Sequence, residues 1–344
     1  MRAMVLEEYG KPLVLKQLDV PKPKAHEVVI RVKACGMCGT DLKIAAGKIP
    51  DTRIPVTMGH EPAGEVVDVG SEVTSLKPGD RVFAHFYVTC GRCEFCRTNR
   101  ESICRNLIGR VGFEVDGGYA DYLKLPETSF VKFPDNISYE EAAVLGDAVG
   151  TAFHALYNRG RLMPSQTVLV MGVGGVGLHV VQVAKAFNAR VIGVGRDPQK
   201  LELAKQYGAD EVVQYTEPTD DYVRRVKGLL EEGDHGVHIV VETVGTPASM
   251  EANLKLLRPG GRMVIVGYLP GTTFRVDPLW QLLEEVEILG SRACTKTELQ
   301  AVVKLVARGL VRPVITQRFE LPEVNRAFEE LRQNKILGRA VVVP

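Results

Sequence analysis

Residues 168–177 read VLVMGVGGVG, and no other stretch of the chain restricts its fold as tightly. An apolar run of strand character stops at Gly172, glycines return at Gly174, Gly175 and Gly177, and a segment of helical spacing follows. Each glycine of such a junction answers a steric demand. The first lets the chain turn tightly, the second lets a bulky anion approach the backbone, and the third lets the helix pack closely on the strand. The unpaired N–H groups at the start of the helix and its dipole then favour negative charge. Gly172, Gly174, Gly175 and Val176 are therefore candidates for cradling the pyrophosphate of a dinucleotide.

The flanking text agrees with that reading. From residue 167 the strand-like runs TVLVMG, RVIGV, EVVQ, VHIVVET, RMVIVG and VEILGS alternate with segments mostly of helical spacing, such as PQKLELAKQYG with its terminal Gly208. Six strands joined by crossover helices predict a doubly wound parallel sheet of the Rossmann type. Residues 1 to about 135 differ, with short β-type runs such as EVVIRVKAC and AGEVVDVG separated by Gly, Pro and Asp turns. At Ser138 the text SYEE fits a capping box, with Glu141 reaching back, and a helix is expected to start there. Two amphipathic helices, KTELQAVVKLVARG and LPEVNRAFEELRQ, and a strand RAVVV close the chain. The expected division is a mostly β domain over 1–150 and 291–344, and a cofactor domain over 151–290; a chain of 344 residues suits two domains.

Composition narrows the partners. Hydrophobic residues make up 45% and charged residues 25% of the chain, the balance of a globular protein rather than a disordered one. Lys plus Arg, 43, nearly cancels Asp plus Glu, 42, so no basic field gathers nucleic acid or an anionic membrane. A small-molecule partner is expected. The N-terminal MRAMVLEEYG has no apolar core of a signal peptide, and the most apolar stretch is broken by glycines and polar residues, which points to a cytoplasmic protein.

The second strand of the cofactor half ends at Val194, and Gly195 stands where an acid would bind the ribose hydroxyls of NAD. Arg196 follows, and its planar fork suits the oxygens of a 2′-phosphate. Lys200, on the first turn of the next helix, adds a second positive charge. These residues favour NADP(H). The alternative is that Arg196 is a solvated loop residue and that Asp197 bends back to the ribose, which would restore NAD.

Seven cysteines are present, and Cys90, Cys93, Cys96 and Cys104 crowd into CGRCEFCRTNRESIC. One short loop with this spacing can wrap a tetrahedral ion, and four thiolates leave no open position, so a structural zinc is expected. The other possibilities are four free thiols or a nucleic-acid-binding ribbon; the single lobe and the neutral charge balance speak against the ribbon. Cys38 in CGTD, His60 in GHE and Asp147 in LGDAVGT are far apart in the chain. Taken singly, they read as a small buried residue, a satisfied loop histidine and a helix-end carboxylate.

Together, CGTD, GHEPAGEVVDVG, KPGDRV, the four-cysteine lobe, GVGGVG and the closing LGRAVVV resemble the medium-chain zinc-dependent alcohol dehydrogenase family, in its motif order and over essentially the whole chain. The resemblance implies a GroES-like, mostly β catalytic domain beside the Rossmann cofactor domain. It also implies a catalytic zinc held by Cys38, His60 and Asp147, with Glu61 as a nearby carboxylate able to bind the metal transiently. Asp41 matches the acid that orients the ligating histidine. The implied chemistry is Lewis-acid catalysis, in which zinc lowers the pKa of a bound alcohol and hydride passes to a nicotinamide, or zinc polarises a carbonyl in the reverse direction. Thr40 matches the hydroxyl that takes the substrate proton. Thr151 matches a residue near the nicotinamide, Arg339 matches one that reaches the pyrophosphate, and Val266 is a further candidate for binding the cofactor. Many members carry a proton-relay histidine where this chain has Lys43, which is then a relay with a lowered pKa, a charge near the cofactor ribose, or a surface residue. Cys35 and Cys294 match no ligand position. The family further implies a homodimer or homotetramer.

The leading function is thus a zinc-dependent alcohol dehydrogenase or carbonyl reductase acting on a small alcohol, aldehyde or ketone with NADP(H). An NAD-dependent threonine- or polyol-type dehydrogenase comes next, because the third ligand is a carboxylate. A zinc-free double-bond reductase and a non-catalytic NADPH-binding protein stand lower, since all three catalytic ligands are present.

Overall fold

The computed structural model describes residues 1–344 and divides into two compact units. One comprises Met1–Gly150, Cys294–Ala307 and Pro313–Pro344, and the other Thr151–Ala293 with Arg308–Arg312. Residues 291–293 and 308–312 thus fall in the second unit, although they lie in the segment that the sequence assigns wholly to the first.

The first unit is built on the strand Glu27–Met37, whose Val28, Val29, Ile30 and Val32 are all buried. β-Branched side chains fill a pleated surface well, and this strand is the centre of a seven-stranded sheet. Along the sheet the order is Phe130–Lys132, Arg81–Ala84, Glu61–Val69, Glu27–Met37, Arg339–Val343 and Ile315–Glu320, with Tyr122–Pro126 also paired to the central strand. Register decides what meets at one end: Gly36 lies opposite Glu61, and Met37 opposite Ala340. The last residues of the central strand therefore sit between the first residues of its two neighbours. The strand Ile315–Glu320, which the sequence reading did not anticipate, pairs in parallel with Arg339–Val343; the helix Val324–Arg332 supplies the crossover that a parallel pair requires.

Two local features hold functional segments. The short pair Tyr87–Val88 and Gly109–Arg110 closes the ends of the cysteine-rich loop. After the helix Tyr139–Ala143, capped by Ser138 and Glu141 as its sequence predicts, the chain widens into a π-helical turn over Leu145–Val149.

The second unit is a six-stranded parallel sheet in the order Glu211–Gln214, Arg190–Gly195, Thr167–Met171, Val237–Glu242, Leu257–Ile265, Glu287–Gly290. In chain order that is 3-2-1-4-5-6, with the reversal at the glycine-bearing strand. Val168, Leu169 and Val170 are fully buried, as a strand covered on both faces must be. No helix is long and apolar enough to cross a membrane.

Candidate active site and metal centres

Two strand ends and one π-turn bring together four residues from three separate stretches of the sequence. Cys38 precedes the helix Gly39–Ala45 as its N-cap, His60 and Glu61 stand at the start of Glu61–Val69, and Asp147 lies in the π-turn. One ligand atom from each of Cys38, His60, Glu61 and Asp147 falls within 4.8 Å of all the others. His60 Nε2 is 3.5 Å from Asp147 Oδ2 and 3.6 Å from Glu61 Oε1. Two ligands on one tetrahedral zinc lie about 3.4 Å apart, so the spacing fits. The donor set of thiol, imidazole and carboxylate also suits zinc.

His60 is aimed from behind. Its Nδ1 lies 2.9 Å from Asp41 Oδ1, which leaves Nε2 facing Cys38, Glu61 and Asp147. Asp41 is fully buried and takes two more donors on Oδ2, the Cys38 N–H at 2.9 Å and the Tyr119 hydroxyl at 3.0 Å. Burial opposes a charge on His60, but the carboxylates of Asp41 and Asp147 overcome it and hold the imidazole pKa well above its usual value. That electrostatic pull is what a divalent cation would meet in the same place. Asp41 is the residue that the family resemblance puts in this role; Tyr119 carries no comparable signal, only its place after Gly117 and Gly118 in DGGYAD.

Glu61 is fully buried, and its Oε1 pairs with the guanidinium of Arg339, itself 4% exposed. Burial pushes the Glu61 carboxyl up to about 7, against the pull of Arg339. Oε2 of Glu61 has no partner. An unpaired buried carboxylate oxygen is costly, and a cation within reach would satisfy it. Arg339, matched in sequence to the pyrophosphate, is thus placed at the carboxylate end of the metal cluster. Thr40 and Lys43 are half-buried on the helix that Cys38 caps, one turn apart. Burial lowers the Lys43 pKa, with Cys38 acting in the opposite sense.

The second cysteine group is as compact. Cys93 Sγ lies 3.5 Å from Cys96 and 3.8 Å from Cys104, and Cys90 Sγ lies 3.9 Å from Cys96 and 3.5 Å from Cys104. Sulfurs on one tetrahedral zinc are separated by about 3.8 Å, and all seven cysteines are free of disulfides. The backbone N–H groups of Cys96 and Arg105 bring the Cys93 thiol down to about 6, which favours the thiolate that binds metal. Cys35 and Cys294 lie buried and belong to neither group of candidate ligands.

In the second unit the glycine loop meets each demand in turn. Gly172 has φ +92°, and a Cβ there would come within 2.5 Å of Thr243 Oγ1; a Cβ on Gly177 would lie 1.8 Å from the Gly172 carbonyl oxygen. Above Gly174 there is open space, with nothing within 4 Å of a Cβ. Val176 is the N-cap of the helix Gly177–Ala186, and Gly175 accepts a bond from His179 Nδ1 at 2.7 Å. At the end of the second strand Arg196 is exposed and Lys200 half-buried. Asp197 caps the helix Pro198–Gln206, its Oδ1 accepting the Gln199 N–H at 2.9 Å. Thr151 is buried at the start of the unit, and Val266 follows Leu257–Ile265, its N–H donating to the Glu242 carbonyl at 2.9 Å.

Residues 24–135 match the alcohol dehydrogenase GroES-like domain and residues 175–308 the zinc-binding dehydrogenase domain. The chain belongs to the zinc-dependent alcohol dehydrogenase family. It is 38% identical to an alcohol dehydrogenase of Geobacillus stearothermophilus over 99% of both chains. It is also 33% identical to an acryloyl-coenzyme A reductase of Metallosphaera sedula, again over 99% of both. A crystal structure of an NAD-dependent alcohol dehydrogenase superposes with a TM-score of 0.92 at 32% identity, covering 100% of each chain. As a zinc-dependent alcohol dehydrogenase of the medium-chain type, the protein is an oxidoreductase for an alcohol and carbonyl pair. Zinc and a nicotinamide cofactor come with the family.

Proposed function

We propose that the protein interconverts a small alcohol with its aldehyde or ketone using NADP(H) in preference to NAD(H). The observation that carries this reading is the use made of Asp197. Its carboxylate is committed to capping a helix, so the turn after the second strand offers Gly195, the exposed Arg196 and Lys200, and no free acid to select ribose hydroxyls. An arginine fork there pairs with a 2′-phosphate.

In this reading Cys38, His60 and Asp147 hold the catalytic zinc, and Cys90, Cys93, Cys96 and Cys104 hold a structural one. Zinc at the first site supplies Lewis acidity, easing loss of the alcohol proton or polarising a carbonyl. Asp41 keeps His60 in the tautomer whose Nε2 faces the metal. Glu61, stabilised by Arg339, stands as a spare carboxylate within ligand distance. Thr40 takes the substrate hydroxyl proton while giving up its own, and Lys43, one helical turn on and with its pKa lowered by burial, accepts that proton as the neutral amine and releases it to solvent. Gly172, Gly174, Gly175 and Val176 receive the pyrophosphate, while Thr151 and Val266 border the nicotinamide half.

The cofactor reading is tested by following nicotinamide absorbance during reduction of a panel of aldehydes and ketones with NADPH and with NADH, in wild type, Arg196→Ala, Gly195→Asp and Asp197→Asn. The expected result is an NADPH preference that Arg196→Ala reduces about tenfold, the worth of one charged hydrogen bond, and that Asp197→Asn leaves in place because asparagine also caps. A new Cβ at Gly195 would meet Val173 Cγ2 at 3.0 Å, so Gly195→Asp needs only a small side-chain shift and is expected to move preference toward NADH. An NADH preference in wild type that Asp197→Asn abolishes would overturn the reading. Acryloyl-CoA belongs in the same panel, because the 33% identical relative carries that reductase name; faster NADPH oxidation with it than with any aldehyde or ketone would make a double bond the substrate.

A further inference from the structure

Tyr119 is fully buried, and it reaches the metal cluster through two independent contacts. Its ring lies against the backbone before His60: Gly59 has φ +93°, and a Cβ there would come within 2.6 Å of Tyr119 Cδ1. The main chain is tied at the same place, with the Tyr119 N–H on the Met58 carbonyl at 2.8 Å and the Gly118 N–H on the Gly59 carbonyl at 2.7 Å. The hydroxyl then extends to Asp41 Oδ2 at 3.0 Å, across 78 residues of sequence. Asp41 shares its carboxylate between its two ends. Oδ1 faces His60 Nδ1, and Oδ2 takes the Tyr119 hydroxyl and the Cys38 N–H.

A carboxylate held only by the Cys38 amide could pivot about that bond; a second donor on the same oxygen fixes its plane and so the direction of Oδ1. We propose that Tyr119 is a positioning residue for the catalytic metal, its hydroxyl locking Asp41 so that Asp41 holds the His60 ring on line with Cys38 and Asp147. The inference rests on those three residues being the ligands. Partners one shell out from a metal commonly govern its affinity by about 10- to 100-fold. Tyr119 acts through one such partner, so the low end is expected.

The test is zinc release from the fully loaded, full-length protein into excess colorimetric chelator, for wild type, Tyr119→Phe, Asp41→Asn and the double variant. Cys38→Ser identifies the phase that belongs to the catalytic site, and the cysteine lobe provides the other as an internal control. Phenylalanine keeps the ring that packs on Gly59; if its thermal midpoint falls, release is compared at equal distances below each midpoint. Tyr119→Phe is expected to speed the catalytic-site phase about tenfold with the lobe phase unchanged, and to add nothing once Asp41 is asparagine. Release at the wild-type rate, equal acceleration of both phases, or the same acceleration in the Asp41→Asn background would overturn the positioning role. A wild type in which Cys38→Ser removes no phase would instead overturn the ligand assignment, and this inference with it.

Discussion

Close approach at single residues shapes the metal cluster as much as the ligands do. A methyl group on Gly36 would lie 2.3 Å from Glu61 Oε2 and 3.0 Å from Glu61 Cβ, so the strand that delivers Cys38 can pass Glu61 only with a bare backbone. Gly36→Ala is expected to force Glu61 aside and disturb its ion pair with Arg339, lowering unfolding free energy by about 1–3 kcal/mol, the range for overpacking. Zinc at the Cys38 site should become labile while the cysteine lobe keeps its own. Denaturant unfolding and metal analysis of the purified variant check both halves, and a fully stable, fully loaded Gly36→Ala would show that Glu61 is not held as described. This constraint was not legible in ACGMCGTD, where Gly36 reads as one more turn former; only the register that sets it opposite Glu61 reveals its neighbour. The pairing of Arg339 with Glu61, 278 residues apart, escaped for the same reason, although each residue was singled out by itself. By contrast Cys38, His60 and Asp147 were readable as a set through the family's motifs, although spacing alone did not join them.

At the scale of elements, the carboxyl ends of the parallel strands are tied together beside the glycine loop. Glu242 ends the strand Val237–Glu242; its Oε1 accepts the N–H groups of Val244 at 2.7 Å and Gly245 at 2.9 Å, and its Oε2 accepts Asn253 Nδ2 at 2.8 Å. The Tyr222 hydroxyl completes the chain on Asn253 Oδ1 at 2.6 Å. Thr243, held between, donates to the carbonyls of Met171 and Gly172, both at 2.8 Å. Burial raises the Glu242 pKa, and the N–H groups of Gly245 and Val244 offset only part of that. A carboxyl whose folded pKa lies above its unfolded one contributes stability that is complete below the unfolded value and is lost as pH rises through the folded value. Relative to Glu242→Gln, wild type should therefore lose stability as pH rises above the ordinary glutamate value of 4.5. The single tryptophan, Trp280, packs on this unit's core, so its fluorescence during denaturant unfolding at several pH values follows the effect. A stability difference that is flat with pH would mean that the clamp is ionised at no cost. The six strands were legible because apolar runs of four to six residues alternate with glycine-ended helical segments. The π-turn carrying Asp147 was not, since LGDAVGT has ordinary helical composition and its widening is set by packing. Nor was Ile315–Glu320, whose alternate exposed positions leave little apolar signal.

For the whole molecule, the chain separates two tasks. One unit gathers the donor atoms beside a mostly antiparallel sheet, and the other presents a glycine loop at the reversal point of a parallel one. The near-neutral charge balance gave no signal for a nucleic-acid partner, and the motif order carried the family. Two compact donor groups, one of four thiols and one of thiol, imidazole and carboxylates, make metal content the most direct test of the central claim. Zinc is measured per chain by elemental analysis in wild type and His60→Ala purified without chelator, alongside alcohol oxidation. The expected result is two zinc ions per wild-type chain, one in His60→Ala, and oxidation only in wild type. One zinc in wild type that added zinc does not change, or oxidation that survives His60→Ala, would contradict a catalytic metal at Cys38, His60 and Asp147.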